Sequence, residues 1–322
     1  MKNSYYENIS FGMGTVIEQK ISAQDKEVSE KIFSRASEQI KHLEGLMSYF
    51  IPDSIIGRLN SSNSEPVKLD ENVYKVLKAA CRYYELSHGA FDITVAPLSS
   101  MWRNTIANKT ITSESTVHNL NYKVSGEGLK IDEFNMTASL KQGQSIDLGG
   151  IAKGYTADEL IKLYKELRVN SAFINLGGNV KTLGTKLNGD PWMIGLQDPR
   201  SKRGDFIAAI ECCDMSIVTS GDYEKYFLED NKRYHHIIDP RTGYPSDSGI
   251  ISATVVSNSS MEADALSTAV FVSGLDYGME LIYKMNVNGV IITKDKKVYV
   301  SKGLSSLFHI QSNNKPYSYY YF

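Results

Sequence analysis

Apolar residues between Lys26 and about Phe50 recur at three- and four-residue intervals. Val28, Ile32, Phe33, Ala36, Ile40, Leu43, Leu46 and Met47 fall on one stripe. That period predicts a long amphipathic helix, ended by Pro52. Val73, Val76, Leu77, Ala80 and Tyr84 repeat the pattern. They predict a second helix from about Glu71 to Ser87, with Gly89 as its C-cap. A third helix is expected from about Ala152 to Leu167. A fourth covers "SMEADALSTAVFVSG", which opens on a serine suited to an N-cap. Short apolar or alternating runs predict strands. These are "GTVIEQKIS" as the first strand, "AFDITVAPL" broken by Pro97, "WMIGLQDP", "FIAAIECCDMSIVTSG", "RYHHIID" and "ISATVVSNS". "SAFINLGGNVKTLG" reads as strand, glycine turn, strand, and "YKMNVNGVIITKDKKVYVSKGL" as a helix end and a hairpin. "SIIGRLN" fits neither period.

From Asn108 to Ser145 the chain turns polar, and "TVHNLNYKV", "GLKI" and "ASLKQGQSI" read as short strands. Helices dominate the first part, and the remainder mixes strands and helices. The expected class is α+β. Residues 1–322 form a single domain on this reading, built of two intimately packed lobes, with 108–130 as the candidate lobe boundary.

Composition narrows the function. Lys plus Arg is 35 against 37 for Asp plus Glu, so the basic excess of a nucleic-acid binder is missing. Cys81, Cys212 and Cys213 give no C-x-x-C spacing and read as small buried hydrophobes. The N-terminus shows no apolar leader and no lipidated cysteine, and no apolar run reaches the roughly 18 residues of a membrane span. A cytoplasmic protein is expected as written; a chain shortened from a cell-envelope protein would read alike. The aromatic end "YSYYYF" suggests edge packing or disorder.

Chemistry is suggested first by "SIDLGGIAKGYTAD", Ser145 to Asp158. Gly149, Gly150, Lys153 and Gly154 match neither G-x-x-x-x-G-K-[ST] nor G-x-G-x-x-G. Asp147 should end a strand, the glycines expose backbone, and the following helix start offers amides and a positive dipole end. A tight turn with a surface lysine accounts for the same residues. In "MEADALSTAV", Asp264 and Thr268 share a helix face at i, i+4, with Ser267 beside them. Their oxygens suit a hard cation such as Mg²⁺, and a side-chain hydrogen bond or a bond back to a helix carbonyl is the plainer account. In "RYHHIIDPRTGYP", alternation groups His236 with Tyr234 and Ile238 and turns His235 the other way. "GAFD", "NLGGN" and "TSGDY" add glycine turns and hydroxyls, each weak alone.

Taken together in this order, "FGMGT", "MSYFIPDS", "GAFDITVAPL", "SIDLGGIAKGY", "FINLGGN", "TSGDYEKYF", "HHIIDPRTGYP" and "MEADALSTAVFVSG" resemble the ApbE family. Its members are flavin transferases that move FMN from FAD onto a protein threonine or serine. The resemblance runs from about Phe11 to Gly303. It implies a T-like α/β arrangement of two lobes with FAD at their junction. It implies that Met13, Phe50, Ala90, Phe91, Asp92, Asp147 and Lys153 line the FAD site, with Ile238 packing nearby. It implies Mg²⁺ held by the carbonyl of Gly150 and the side chains of Asp264 and Thr268, with Ser267 adjacent. His236, with Asp264 as the other catalytic candidate, is the histidine expected to aid proton transfer. The implied partners are FAD and an acceptor flavoprotein. Many relatives carry Tyr at the position of Phe50, and non-aromatic residues there go with FAD hydrolysis. An FAD pyrophosphatase and a non-catalytic flavin binder are the competing functions.

Overall fold

A nine-stranded sheet forms the backbone of the fold. The computed structural model describes residues 3–311 and 316–322. The strands lie in chain order across the sheet: Ser4–Gly12, Thr15–Ala23, Ala172–Leu176, Asn179–Leu183, Ser216–Gly221, Ile250–Ser257, Asn288–Thr293, Lys297–Val300 and Ser318–Tyr321. Neighbours pair antiparallel except the last two, which are parallel. Such a sheet belongs to the α+β class. The aromatic C-terminus thus takes the edge-packing alternative, with Tyr299 stacked on Tyr320.

Both faces of this sheet are covered. On one, a smaller sheet of Trp192–Gln197, Phe206–Cys212 and Phe308–Ile310 builds a core with Val256, Val290 and Ile292. On the other, Val255 and Ile291 meet the helices. Every residue of Ile250–Ser257 is therefore buried, Ser252 and Thr254 included.

Eight helices complete the described residues: α1 (Lys26–Met47), α2 (Ile55–Ser61), α3 (Glu71–Leu86), α4 (Ala96–Asn108), α5 (Glu114–Asn121), α6 (Ala152–Glu166), α7 (Ser260–Ser273) and α8 (Leu275–Lys284). The predicted helices α1, α3, α6 and α7 stand close to their expected bounds. Ser259, one residue ahead of the expected cap, receives Glu262 N–H at the start of α7. Several expectations change. "ASLKQGQSI" is strand only as far as Ser139, and Asp147 ends no strand. "AFDITVAPL" is no strand: Asp92 caps a short 3-10 turn at Ile93–Val95, and Pro97 then sits in the first turn of α4, where its missing N–H costs nothing. "TVHNLNYKV" lies mostly in α5, capped by Ser113, and buries Val117 as its one apolar anchor. The first strand is Ser4–Gly12 rather than "GTVIEQKIS", which is the second; Ser4–Gly12 is an edge strand that leaves Ile9 and Phe11 exposed as well as Glu7.

Met13 and Gly14 turn that first hairpin, both with positive φ (52° and 72°). Two left-handed residues make the tight turn that suits the strand twist. Methionine gains nothing locally from this conformation, and strain of that kind concentrates at functional sites. Of the cysteines, Cys212 is buried and the other two half-buried, all unbridged. Among the described residues no helix is long and apolar enough to cross a membrane.

Candidate functional site

Helix α7 is buried on nearly every side, from Ala263 to Val272. Such a helix is expected to be apolar throughout, yet it carries Asp264, Ser267 and Thr268. Each polar group has a local reason to be there. Asp264 Oδ2 accepts the N–H of Gly154 at 2.9 Å, across 110 residues of sequence. A side chain at Gly154 would meet the carbonyl oxygen of Ser260 at 2.2 Å and Asp264 Cβ at 2.8 Å. Glycine alone therefore lets α6 and α7 cross this closely.

The loop ahead of α6 is folded over the same point. Gly150 stands beside Thr268: a Cβ there would lie 3.7 Å from Thr268 Oγ1 and 3.2 Å from the Phe91 ring. Ser220 shares hydrogen bonds with Ser267 (2.9 Å) and Thr268 (3.2 Å). Lys153 Nζ is bonded to Gly149 O and lies 3.8 Å from Asp264 Oδ2. Gly150, Lys153, Asp264, Ser267 and Thr268 are thus gathered at one crossing. Their side-chain oxygens are one carboxylate and two hydroxyls, set beside the backbone of the glycine loop. No cluster of three or more His, Cys, Asp or Glu suited to a metal occurs among the described residues. An oxygen set with one carboxylate fits Mg²⁺, which is held by few protein groups and completes its shell with water and phosphate oxygens.

The helix start itself is less open than the sequence suggests. The N–H groups of Ile151 and Ala152 donate to Leu148 O, and that of Gly154 to Asp264. The turn thus occupies three of the amides around the helix start, and Lys153 supplies the cation of this loop.

The remaining candidates fall in three places. Asp147 accepts from Gly149 N–H (2.9 Å) and pairs with Arg103 (3.2 Å). Phe50 is 68% exposed, on the loop after α1, with the Arg103 guanidinium 4.7 Å from its ring centre. Ala90, Phe91 and Asp92 lie beneath the surface. The Asp92 carboxylate takes the N–H and hydroxyl of Thr94, and burial raises its pKa. Met13 is half-buried at its hairpin tip.

The histidine pair separates as alternation predicts for His235, and differently for His236. His235 is buried, with Nε2 at 3.0 Å from Ser246 O and Nδ1 accepting the N–H of Ile237. The strand stops there, at Lys232–His235. Tyr234 and Ile238 join a core with Leu98, Trp102 and Val117, so His236 does not share their face. His236 is exposed at the surface. Desolvation by the surrounding protein, and then the charges of His235, Lys225 and Lys153, lower its pKa.

Asp158 and Arg103 were not singled out by sequence. Asp158 accepts from Lys181 Nζ (2.6 Å), Ser259 Oγ (2.9 Å), Ser260 N–H (2.9 Å) and Met261 N–H (3.0 Å). It lies four residues after Gly154, on the α6 face that meets α7, and that spacing was the available signal. A separate cleft of about 970 Å³ opens between α3 and α6 and contains none of the candidate residues. Its Lys75, Lys78, Lys162 and Lys181 are already paired with Glu71, Glu133, Glu159 and Asp158, so the α6–α7 crossing is the better candidate.

The fold as a whole matches solved structures. The crystal structure of the ApbE protein from Thermotoga maritima superposes with a TM-score of 0.87 at 34% identity, covering 94% of this chain and 99% of that one. Flavin transferase ApbE from Vibrio cholerae gives 0.84 at 27% identity, covering 95% and 99%. The chain belongs to the ApbE family, whose sequence model matches residues 13–291. An FAD:protein FMN transferase of Klebsiella pneumoniae (strain 342) is 30% identical over 302 residues, 93% of this chain and 92% of the relative.

Proposed function

We propose that this chain is an Mg²⁺-dependent FAD:protein FMN transferase that esterifies a threonine or serine hydroxyl of an acceptor flavoprotein and releases AMP. The observation that carries the proposal is the approach of Gly150 to Thr268 beside the Gly154–Asp264 hydrogen bond, which brings the glycine loop against the oxygens of α7. Relatives named FAD:protein FMN transferase align over most of the chain, which supports the transferase part of the reading.

The Gly150 carbonyl, Asp264 and Thr268 would hold the metal, and Mg²⁺ when bound offsets charge on the pyrophosphate. Lys153 adds a point charge beside the same oxygens. Phe50 offers an exposed ring for stacking. In the reaction the acceptor oxygen forms a bond to the FMN-side phosphorus, the bond to AMP breaks, and the hydroxyl proton passes to a base. His236 would serve as that base, and its lowered pKa supports a neutral ring able to accept a proton. Most of the acceleration comes from positioning and electrostatics.

Incubation with FAD, Mg²⁺ and a protein bearing a flavinylation motif should add the mass of an FMN phosphoester to the acceptor. AMP release without any adduct would point instead to a pyrophosphatase.

The histidine sets a pH limb. A lowered pKa keeps the ring unprotonated, and able to accept a proton, at neutral pH. The acidic limb of kcat/KM should therefore lie below the ordinary histidine range of about 6.5 for the free enzyme, and His236→Ala should remove it. A limb at or above that range would exclude His236 as the base.

A further inference from the structure

The geometry points to Arg103 as a positioning residue for FAD, an inference that rests on the flavin-transferase reading. Its backbone is fixed by the preceding residue. Trp102 is fully buried in α4, donates to Gly243 O at 2.8 Å, and lies between Tyr234 and Tyr244. From this anchor the Arg103 guanidinium reaches two segments that lie far apart in sequence. It lies 4.7 Å from the ring centre of Phe50 and 5.8 Å from that of Tyr49, on the loop after α1. It also pairs with Asp147 Oδ2 at 3.2 Å, at the start of the glycine loop.

A chain of contacts follows from the exposed ring to the oxygen site. Phe50 meets Arg103, Arg103 meets Asp147, Asp147 accepts from Gly149 N–H, Gly149 O accepts from Lys153, and Lys153 faces Asp264. The planar guanidinium can stack on a ring and bond a carboxylate at once, which lysine cannot. Tyr49 meets Phe50 edge-on, with centroids 5.3 Å apart, so the ring is bracketed on two sides. Arg103 thereby sets the distance between the surface that stacks on an aromatic ring and the loop that meets the pyrophosphate. It acts through Phe50 and Asp147.

The test is FAD binding read by quenching of flavin fluorescence, with Mg²⁺ present and no acceptor, so that it stands apart from whether FMN is transferred. Arg103→Gln should weaken binding about tenfold, the combined scale of a cation–π contact and a partly exposed ion pair. In turnover the loss should appear in KM, with kcat changed less than about twofold. Arg103→Lys should restore part of the loss through Asp147. Combined with Phe50→Leu, Arg103→Gln should add little further loss, because both remove the same stack. The arginine side chain is 43% exposed, so the variants should fold, which a thermal melt checks. Unchanged FAD affinity, or full additivity with Phe50→Leu, would overturn the assignment. If Arg103 controls FAD affinity but no acceptor is ever modified, the positioning role stands and the transferase reading falls.

Discussion

Asp264→Asn should lower AMP release from FAD by about 10²-fold or more while leaving the fold intact. The reasoning turns on the two jobs of one carboxylate. Asparagine keeps an oxygen for the Gly154 N–H, now received by Oδ2 at 2.9 Å, so the α6–α7 crossing survives. It removes the charge, and an electrostatic contact aimed at a reacting phosphate is worth about 10²–10³ in rate. Metal affinity should fall by more than the roughly 10–100-fold that residues behind a metal ligand contribute. Asp264→Ala adds a second injury, since the buried amide loses its acceptor at a cost of about 1–3 kcal/mol. Calorimetric Mg²⁺ titration, AMP chromatography and thermal melts separate the two. Full activity in Asp264→Asn would remove Asp264 from the metal site.

The second large effect is on stability. Asp158→Ala should cost about 3–5 kcal/mol, the scale for removing one partner of a buried pair. The Lys181 side chain is only 7% exposed, and would keep the Asn258 carbonyl as its one remaining partner. The first amides of α7 would lose their acceptor at the same moment. The midpoint of thermal unfolding should fall by on the order of 10 °C. Adding Lys181→Met should recover part of that loss, because the stranded charge is then gone. If the double variant is less stable than Asp158→Ala by the full cost of Lys181→Met alone, the pair is not coupled and this account fails.

Much of the fold was legible because helix periods are strong signals. The stripe on α1 and the run on α3 needed only their spacing. The misreadings share a cause: a short segment takes its state from caps and neighbours. Asp92 and Pro97 convert "AFDITVAPL" from an apparent strand into a turn and a helix start. Ser113 and the single buried Val117 do the same for "TVHNLNYKV". At the site, the glycines, Lys153 and the Asp264–Thr268 pair stood out because their residue types are unusual for their local pattern. Arg103 and Asp158 did not, since an arginine or an aspartate on a helix reads as a solvated face. What distinguishes them is a partner far away in sequence: Asp147 for one, the start of α7 for the other. His236 lay between the two cases, because alternation could divide the pair but could not show that the strand ends between them.

The strand order has a consequence for how the protein is made. The sheet is laid down in the order of the chain, so a nascent polypeptide can add each strand to the edge left by the one before it. The glycine loop and Lys153 emerge from the ribosome well before α7. A product that stops short of Ser260 has the loop in full, but neither of the α7 oxygens to face it, and no acceptor waiting for the Gly154 amide. Synthesis must run past α7 before the two halves of the site can be joined.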